Sequence, residues 1–382
     1  MQNNNTNKHL EPLKLSEWHL VRDITIPLFI QDNAQSRTTE ADIENAICFT
    51  GEPRARRLLD PGDKDSFAKM VSIFGQVDPW LAMGHRRFKI REGGLSFRAQ
   101  VGRHAEGEDL QLRVLPETVP SLDELRIPDV WRALMMDPDL LNGGLILITA
   151  TNGQGKTTTS SAIVRSRLET YGGFANTVED PIELPLQGVW GHGVCMQRPV
   201  DQFETEGTAP GDGYYLALME TLRQFPAISG GGTILFAGEI RDAQTAAETL
   251  KAAINGHLVI ATIHAKSEAS ALRRMATLAA GAKDSADIDT VRDLLSEAIR
   301  GVFYQRLSWS KEAEATGWKR GEVGGGLLWS ESTNSQVGKM IKEGKFDDLH
   351  KIAANQRAAI NPLIGTKPSG NQVRELLRKT GA

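Results

Sequence analysis

The chain has 382 residues, a formal net charge of −4 and a pI near 6.1. That length accommodates two or three domains whose cores need no covalent staples, and that charge leaves no global field favouring nucleic acid. The two cysteines, Cys48 and Cys195, are too far apart for a C-x-x-C site and too few for a disulfide framework, and no apolar run approaches the ~20 residues of a membrane span, so a reducing, cytoplasmic compartment is expected.

The opening residues Met1-Gln2-Asn3-Asn4-Asn5 lack the apolar core of a signal peptide, and residues 1–14 read as a disordered lead. Residues 15–115 read as a small α+β domain. Runs at 24–30 and 87–90 are strand-like, residues 65–75 suit a helix bounded by Gly62 and Pro79, and 95–101 with 110–115 predict a hairpin. The basic clusters Arg54-Ala55-Arg56-Arg57 and His85-Arg86-Arg87 read as solvated faces. Residues 116–128, with Pro116, Pro120 and Pro128, read as a semi-rigid linker able to act as a hinge.

From residue 129 strands alternate with helices, the pattern of a parallel sheet covered on both faces. The predicted strands are 144–150, 174–178, 233–238 and 258–264, and the helices between them 157–171, 213–225 and 242–255. In such a sheet ligands bind beyond the carboxyl ends of the strands. The first strand runs into Ala150-Thr151-Asn152-Gly153-Gln154-Gly155-Lys156-Thr157, the strand, loop, helix context of a Walker A motif, with Ala150 where the pattern has Gly. Backbone N–H groups of Asn152, Gly153, Gln154, Gly155, Lys156, Thr157 and Thr158 would cradle the phosphates of ATP. Lys156 would reach the β- and γ-phosphates, and the Thr157 hydroxyl would join the shell of Mg²⁺.

The second strand closes in Glu179-Asp180-Pro181-Ile182-Glu183, bringing three carboxylates to one edge, one of which can activate water as a general base. The third closes in Glu239, the Walker B arrangement in which a carboxylate orients Mg²⁺ or its water. The fourth closes in His264, placed to sense phosphate or relay to the carboxylates. Singly, an acid after a strand is an ordinary helix cap; it is the order after a Walker A that carries the reading. Residues 285–300 form an amphipathic helical pattern, 321–326 read as a glycine loop between strands, and residues after Pro362 as a flexible basic tail.

These boxes resemble the secretion and pilus ATPases of the PilT class. The resemblance covers residues 95–307 and rests on 144–159, 178–183, 236–242, 256–264 and 295–302. The chain looks closer to the type IVB secretion and IncI-plasmid conjugation branch than to the pilus-retraction members. The resemblance implies a PAS-like domain before a RecA-like P-loop core, assembled as a homohexamer. It implies Glu183 as general base, Glu239 as Walker B acid supported by Glu179 and Asp180, and His257 and His264 as a histidine box. Arg98 and Arg113 match arginines that the family brings to the phosphates, with Arg103 a weaker third. The expected function is a cytoplasmic, Mg²⁺-dependent ATPase motor of a type IV secretion or conjugation machine, peripheral at the bacterial inner membrane and held there by partner proteins. The alternatives are a DNA-translocating ring and a nucleotide-gated scaffold. Nucleic acid is not an expected partner, because aromatic residues for base stacking are few, 6% of the chain.

Overall fold

A computed structural model describes residues 21, 23–28, 46–49, 56–57, 64–92, 95–104, 107–203, 212–225, 232–283, 287–308 and 322–382. The expected lead at 1–14 and the start of the first basic cluster lie outside the described residues. The chain divides into two compact units, Met1–Thr118 and Val119–Ala382.

Among its described residues the first unit is an antiparallel sheet with one long helix. Its strands are β1 (Asp23–Leu28), β2 (Ile47–Phe49), β3 (Arg56–Arg57), β4 (Arg87–Glu92), β5 (Leu95–His104) and β6 (Gly107–Leu115), in spatial order β3-β2-β1-β6-β5-β4. One face of the sheet carries Ile24, Ile26, Phe97, Ala99, Leu110 and Leu112, and helix α1 (Lys64–Ala82) buries Met70, Ile73, Phe74 and Val77 against it. That i, i+3, i+4, i+7 spacing is what places the helix. The helix continues through Pro79, where a boundary was expected. Proline there frees only the carbonyl of Gly75, a residue on the exposed side of the helix and open to solvent. Trp80, stacked on Phe88 at 5.6 Å, anchors the final turn.

The second unit holds an eight-stranded sheet, β7 (Gly144–Thr149), β8 (Gly173–Glu179), β9 (Gly188–Trp190), β10 (Gly193–Pro199), β11 (Thr233–Ala237), β12 (Leu258–Ile263), β13 (Ile299–Ser308) and β14 (Glu322–Trp329), in the order β14-β13-β7-β12-β11-β8-β10-β9. The pairs from β13 through β10 are parallel; β14 and β9 close the edges antiparallel. Every residue of β7, β11 and β12 is buried, which is why they read as unbroken apolar runs. Their side chains alternate between two cores. Leu145, Leu147, Leu235 and Val259 meet α5 (Ala243–Ile254), α6 (Glu268–Ala280) and α7 (Ile288–Ala298); Ile146, Ile148, Phe236 and Ile260 meet α2 (Asp129–Met135) and α3 (Lys156–Tyr171). Helix α4 (Asp212–Gln224) precedes β11.

Four expectations change here. Of the expected linker, Val119, Leu122 and Ile127 are buried in the second unit, where Leu122 N–H donates to Ser166 Oγ at 2.8 Å. The helix expected over 285–300 ends at Ala298, and Ile299 already belongs to β13. The expected glycine loop is part of β14. A Cβ on Gly326 would lie 1.5 Å from Glu268 Oε1, and one on Gly325, at φ 136°, 1.8 Å from the Tyr304 carbonyl oxygen, so the glycines let two neighbours approach the strand. The expected flexible tail after Pro362 forms α10 (Gly370–Arg378), following α8 (Gln336–Lys342) and α9 (Leu349–Ile360). A Ser369 capping box starts α10, Val373 and Leu377 are fully buried, and Arg374 reaches Asp137 at 3.0 Å.

Candidate functional site

The loop after β7 is shaped by two left-handed glycines, Gly153 at φ 72° and Gly155 at φ 78°, a conformation that a Cβ disfavours. Gly155 is also the N-cap of α3, and it offers no side chain to the helix's first N–H groups. With no side-chain acceptor and no acid in its first turn, the helix leaves its orphan donors to whatever lies beyond the loop, and a phosphate fits that need. Lys156, 9% exposed, begins the helix. Its Nζ lies 3.4 Å from the Thr151 carbonyl oxygen, 3.3 Å from His264 Nδ1 and 3.4 Å from His264 Nε2, too evenly shared for one directed bond to the ring. Burial holds the ammonium below its usual pKa, and the charges of Glu239 and Glu183 oppose that. Thr157 and Thr158 follow in the first turn, both half-buried.

Three further strand ends meet Lys156. Glu239, just past β11, receives Arg241 Nη2 at 2.6 Å on Oε2, and its Oε1 lies 3.1 Å from His264 Nε2. His264, just past β12, is held below its ordinary pKa by burial first and by the Lys156 charge second, with Glu239 pulling the other way. The acidic box after β8 separates by depth. Glu179 is 2% exposed, accepts from Thr177 Oγ1 at 2.6 Å and Gln197 Nε2 at 2.9 Å, and burial pushes its carboxyl up to about 7. Asp180 is exposed and Glu183 half-buried. Thr157 and Glu239 offer oxygen donors, which suit Mg²⁺. Among the described residues no group of three or more His, Cys, Asp or Glu could hold a metal alone, so phosphate oxygens and water would complete the ion's shell.

The structure thus brings Lys156, Glu239 and His264 into one contact cluster with Glu183 acting on it electrostatically. It does not bring His257 there. That residue precedes β12 and its carbonyl accepts from Gly144 N–H at 3.0 Å, at the amino end of the sheet. A strand of six residues puts it ~20 Å from His264, and its 6% exposure marks a packed core residue. Arg98 and Arg113 belong to the first unit, directly opposite one another on β5 and β6, and Arg113 Nε donates to Asp23 at 2.7 Å. Arg103 pairs with Glu108 at 3.2 Å.

Some residues at the site carry no local sequence signal. Tyr214, on α4, donates its hydroxyl to the Val178 carbonyl at 2.7 Å and receives Glu239 N–H at 3.4 Å, tying the ends of β8 and β11 together. Gln305, on β13, reaches the phosphate loop.

A family model described as "Type II/IV secretion system protein" matches residues 84–374. The chain is 28% identical over 267 residues to a twitching motility protein of Neisseria gonorrhoeae, covering 69% of this chain and 62% of that protein. Among solved structures, the ATPase DotB of Legionella pneumophila superposes with a TM-score of 0.59 at 20% identity, over 95% of this chain and 85% of that one. The pilus retraction motor PilT with bound ADP gives a TM-score of 0.61 at 22% identity, over 97% and 94%.

Proposed function

The chain belongs to the type II/IV secretion system protein family, and from that premise we propose that it is a Mg²⁺-dependent ATPase working as a homohexameric ring. The observation that carries this reading is Lys156, set at an uncapped helix N-terminus and touching a histidine that also touches the strand-end acid Glu239. Residues 152–158 bind the phosphates of ATP through their N–H groups, and the Lys156 ammonium neutralises the β- and γ-phosphates. Thr157 and Glu239 would hold the Mg²⁺, which would supply charge neutralisation at the phosphoryl oxygens. Arg241 and His264, one on each Glu239 oxygen, hold that carboxylate in place. Glu183 is the base: of the acidic box it is the member whose charge acts on the Lys156 ammonium, and unlike Glu179 it is open to water. His264 links Glu239 to the γ-phosphate region. Arg98 and Arg113 supply charge to the transferred phosphoryl group from the first unit, of the same copy or of another.

At the scale of the cell the reading is a motor of a type IVB-like secretion or conjugation machine, cytoplasmic and held at the inner membrane by partner proteins. No helix among the described residues is long and apolar enough to cross a membrane, in keeping with attachment through partners. One observation favours a DNA-translocating ring as the second reading. Arg87, Lys89 and Arg91 are exposed in alternation on β4, beside Arg98 and Arg113. That face carries no Phe, Tyr or Trp on β4, β5 or β6 for stacking bases, which weighs against it.

The test is ATP turnover by ring and monomer fractions of the wild type and of Glu183→Gln, with and without single-stranded DNA. The expected result is turnover by the ring, indifferent to DNA and reduced about 10²- to 10⁴-fold in the variant. Strong stimulation by DNA moves the reading to the translocase, and equal turnover by both proteins removes Glu183 as base.

A further inference from the structure

We propose that Gln305 is a positioning residue for the phosphate loop, and that its buried amide, together with Gln154, sets the affinity of the loop for nucleotide. The proposal rests on the reading of residues 152–158 as the nucleotide site.

Gln305 is 1% exposed. Strand β13 runs parallel to β7 with Tyr304 opposite Thr149, so the next residue along comes level with the start of the loop. There its Nε2 donates to the Gln154 carbonyl oxygen at 2.5 Å, and its Oε1 accepts from Thr159 Oγ1 at 2.8 Å. The second glutamine returns the contact: Gln154 Oε1 accepts from Leu307 N–H at 2.8 Å. A Cβ on Gly155 would stand 3.1 Å from Gln305 Nε2, so the amide packs against the N-cap residue itself.

Chemistry makes the residue specific. The position must donate to a loop carbonyl and accept from a helix hydroxyl at once, which a primary amide does. Leucine would leave Gln154 O and Thr159 Oγ1 without those bonds, and a carboxylate would face the carbonyl with a like charge. The carbonyl matters because the loop binds anions only while its N–H groups, not its oxygens, face the ligand. An oxygen held by Gln305 cannot turn toward a phosphate. The strand thus prepays the ordering of the loop, and a prepared loop binds more tightly.

The experiment is equilibrium titration of the full chain with ADP, beside ATP turnover and thermal melting, for the wild type, Gln305→Leu and Gln154→Ala. Gln305→Leu is expected to raise the Kd for ADP about tenfold, the loss of one to two net hydrogen bonds. KM for ATP should rise in step while kcat stays within about threefold, as for binding shared by ground and transition states. A glutamine serving only the fold would lower the melting temperature and leave the Kd of the folded protein unchanged, which would overturn the proposal. Should Gln305→Leu not fold, Gln154→Ala carries the test: it removes the bond to Leu307 N–H and is expected to raise the Kd about threefold, and an unchanged Kd overturns the proposal. A wild-type chain that fails to bind ADP would instead overturn the proposed function, and this inference with it.

Discussion

Glu179 and Glu183 stand four positions apart in one acidic box, yet depth gives them different chemistry. Glu179 is 2% exposed, and burial raises its carboxyl from an ordinary 4.5 to about 7 despite the hydrogen bonds from Thr177 and Gln197. A carboxyl raised in this way binds its proton more tightly in the folded chain than in the unfolded one. Its contribution to stability is therefore full below pH 4.5 and is lost as pH rises through about 7. The size of that contribution is about 3 kcal/mol, from 1.36 kcal/mol for each pKa unit. Glu179→Gln, neutral at every pH, should flatten the melting temperature between about pH 5 and 8 and raise it at the alkaline end. A wild-type stability that does not fall over that window would refute the assignment. The loop glycines give a second comparison. Gly153 needs only its φ of 72°, with nothing within 4 Å of a Cβ, whereas Gly155 has φ 78° and Gln305 Nε2 at 3.1 Å. Alanine at 153 should cost about 1 kcal/mol of stability, and alanine at 155 more, because strain and crowding add. The reverse order in thermal denaturation would mean that the amide gives way easily.

Between elements, the same logic separates the glycines of β14, and it shows what a sequence makes legible. Gly324 has open space where a Cβ would go, while a Cβ at Gly326 would fall 1.5 Å from the carboxylate of Glu268, itself 5% exposed. Gly324→Ala should leave the melting temperature unchanged within the ~0.5 kcal/mol of an ordinary surface change, and Gly326→Ala should destabilise by about 1–3 kcal/mol as the buried carboxylate is forced aside. Equal melting temperatures for the two would show that Glu268 moves freely. Read as sequence alone, these glycines look like a loop, because the partners that require them, Tyr304 and Glu268, come from other elements. The parallel strands and the Walker A loop were legible for the opposite reason: a fully buried strand is an unbroken apolar run, and the loop's glycines answer to its own backbone. Glu239 and His264 were legible as the ends of such runs. Tyr214 and Gln305 were not, since nothing along α4 or β13 says which strand end they touch. His257 shows the converse error, a residue matched by motif that the parallel direction of β12 carries to the far end of the sheet.

For the whole molecule the telling feature is a conflict between stability and charge in the first unit. Lys89, Arg98 and Arg113 stand directly opposite one another on β4, β5 and β6, and Asp23 on β1 is the next in that row. Like charges facing across strands weaken a sheet, and the Arg113–Asp23 pair, with side chains 54% and 40% exposed, offsets little of that. An anion brought to that face would meet three cations at once. Stability and activity should then answer to different members of the row. Lys89→Gln, which removes the end cation of the row, is expected to leave the melting temperature equal or slightly higher, by tenths of a kcal/mol at about 0.1 M salt. Arg98→Gln is expected to lower turnover of the proposed ring about 10³-fold or more while ADP binding by the second unit persists. The stability difference should narrow in high salt, because the repulsion is between exposed charges. A variant that melts earlier but turns over ATP normally would make the row a structural feature of the sheet, and would leave the charge needed at the phosphoryl group to the second unit alone.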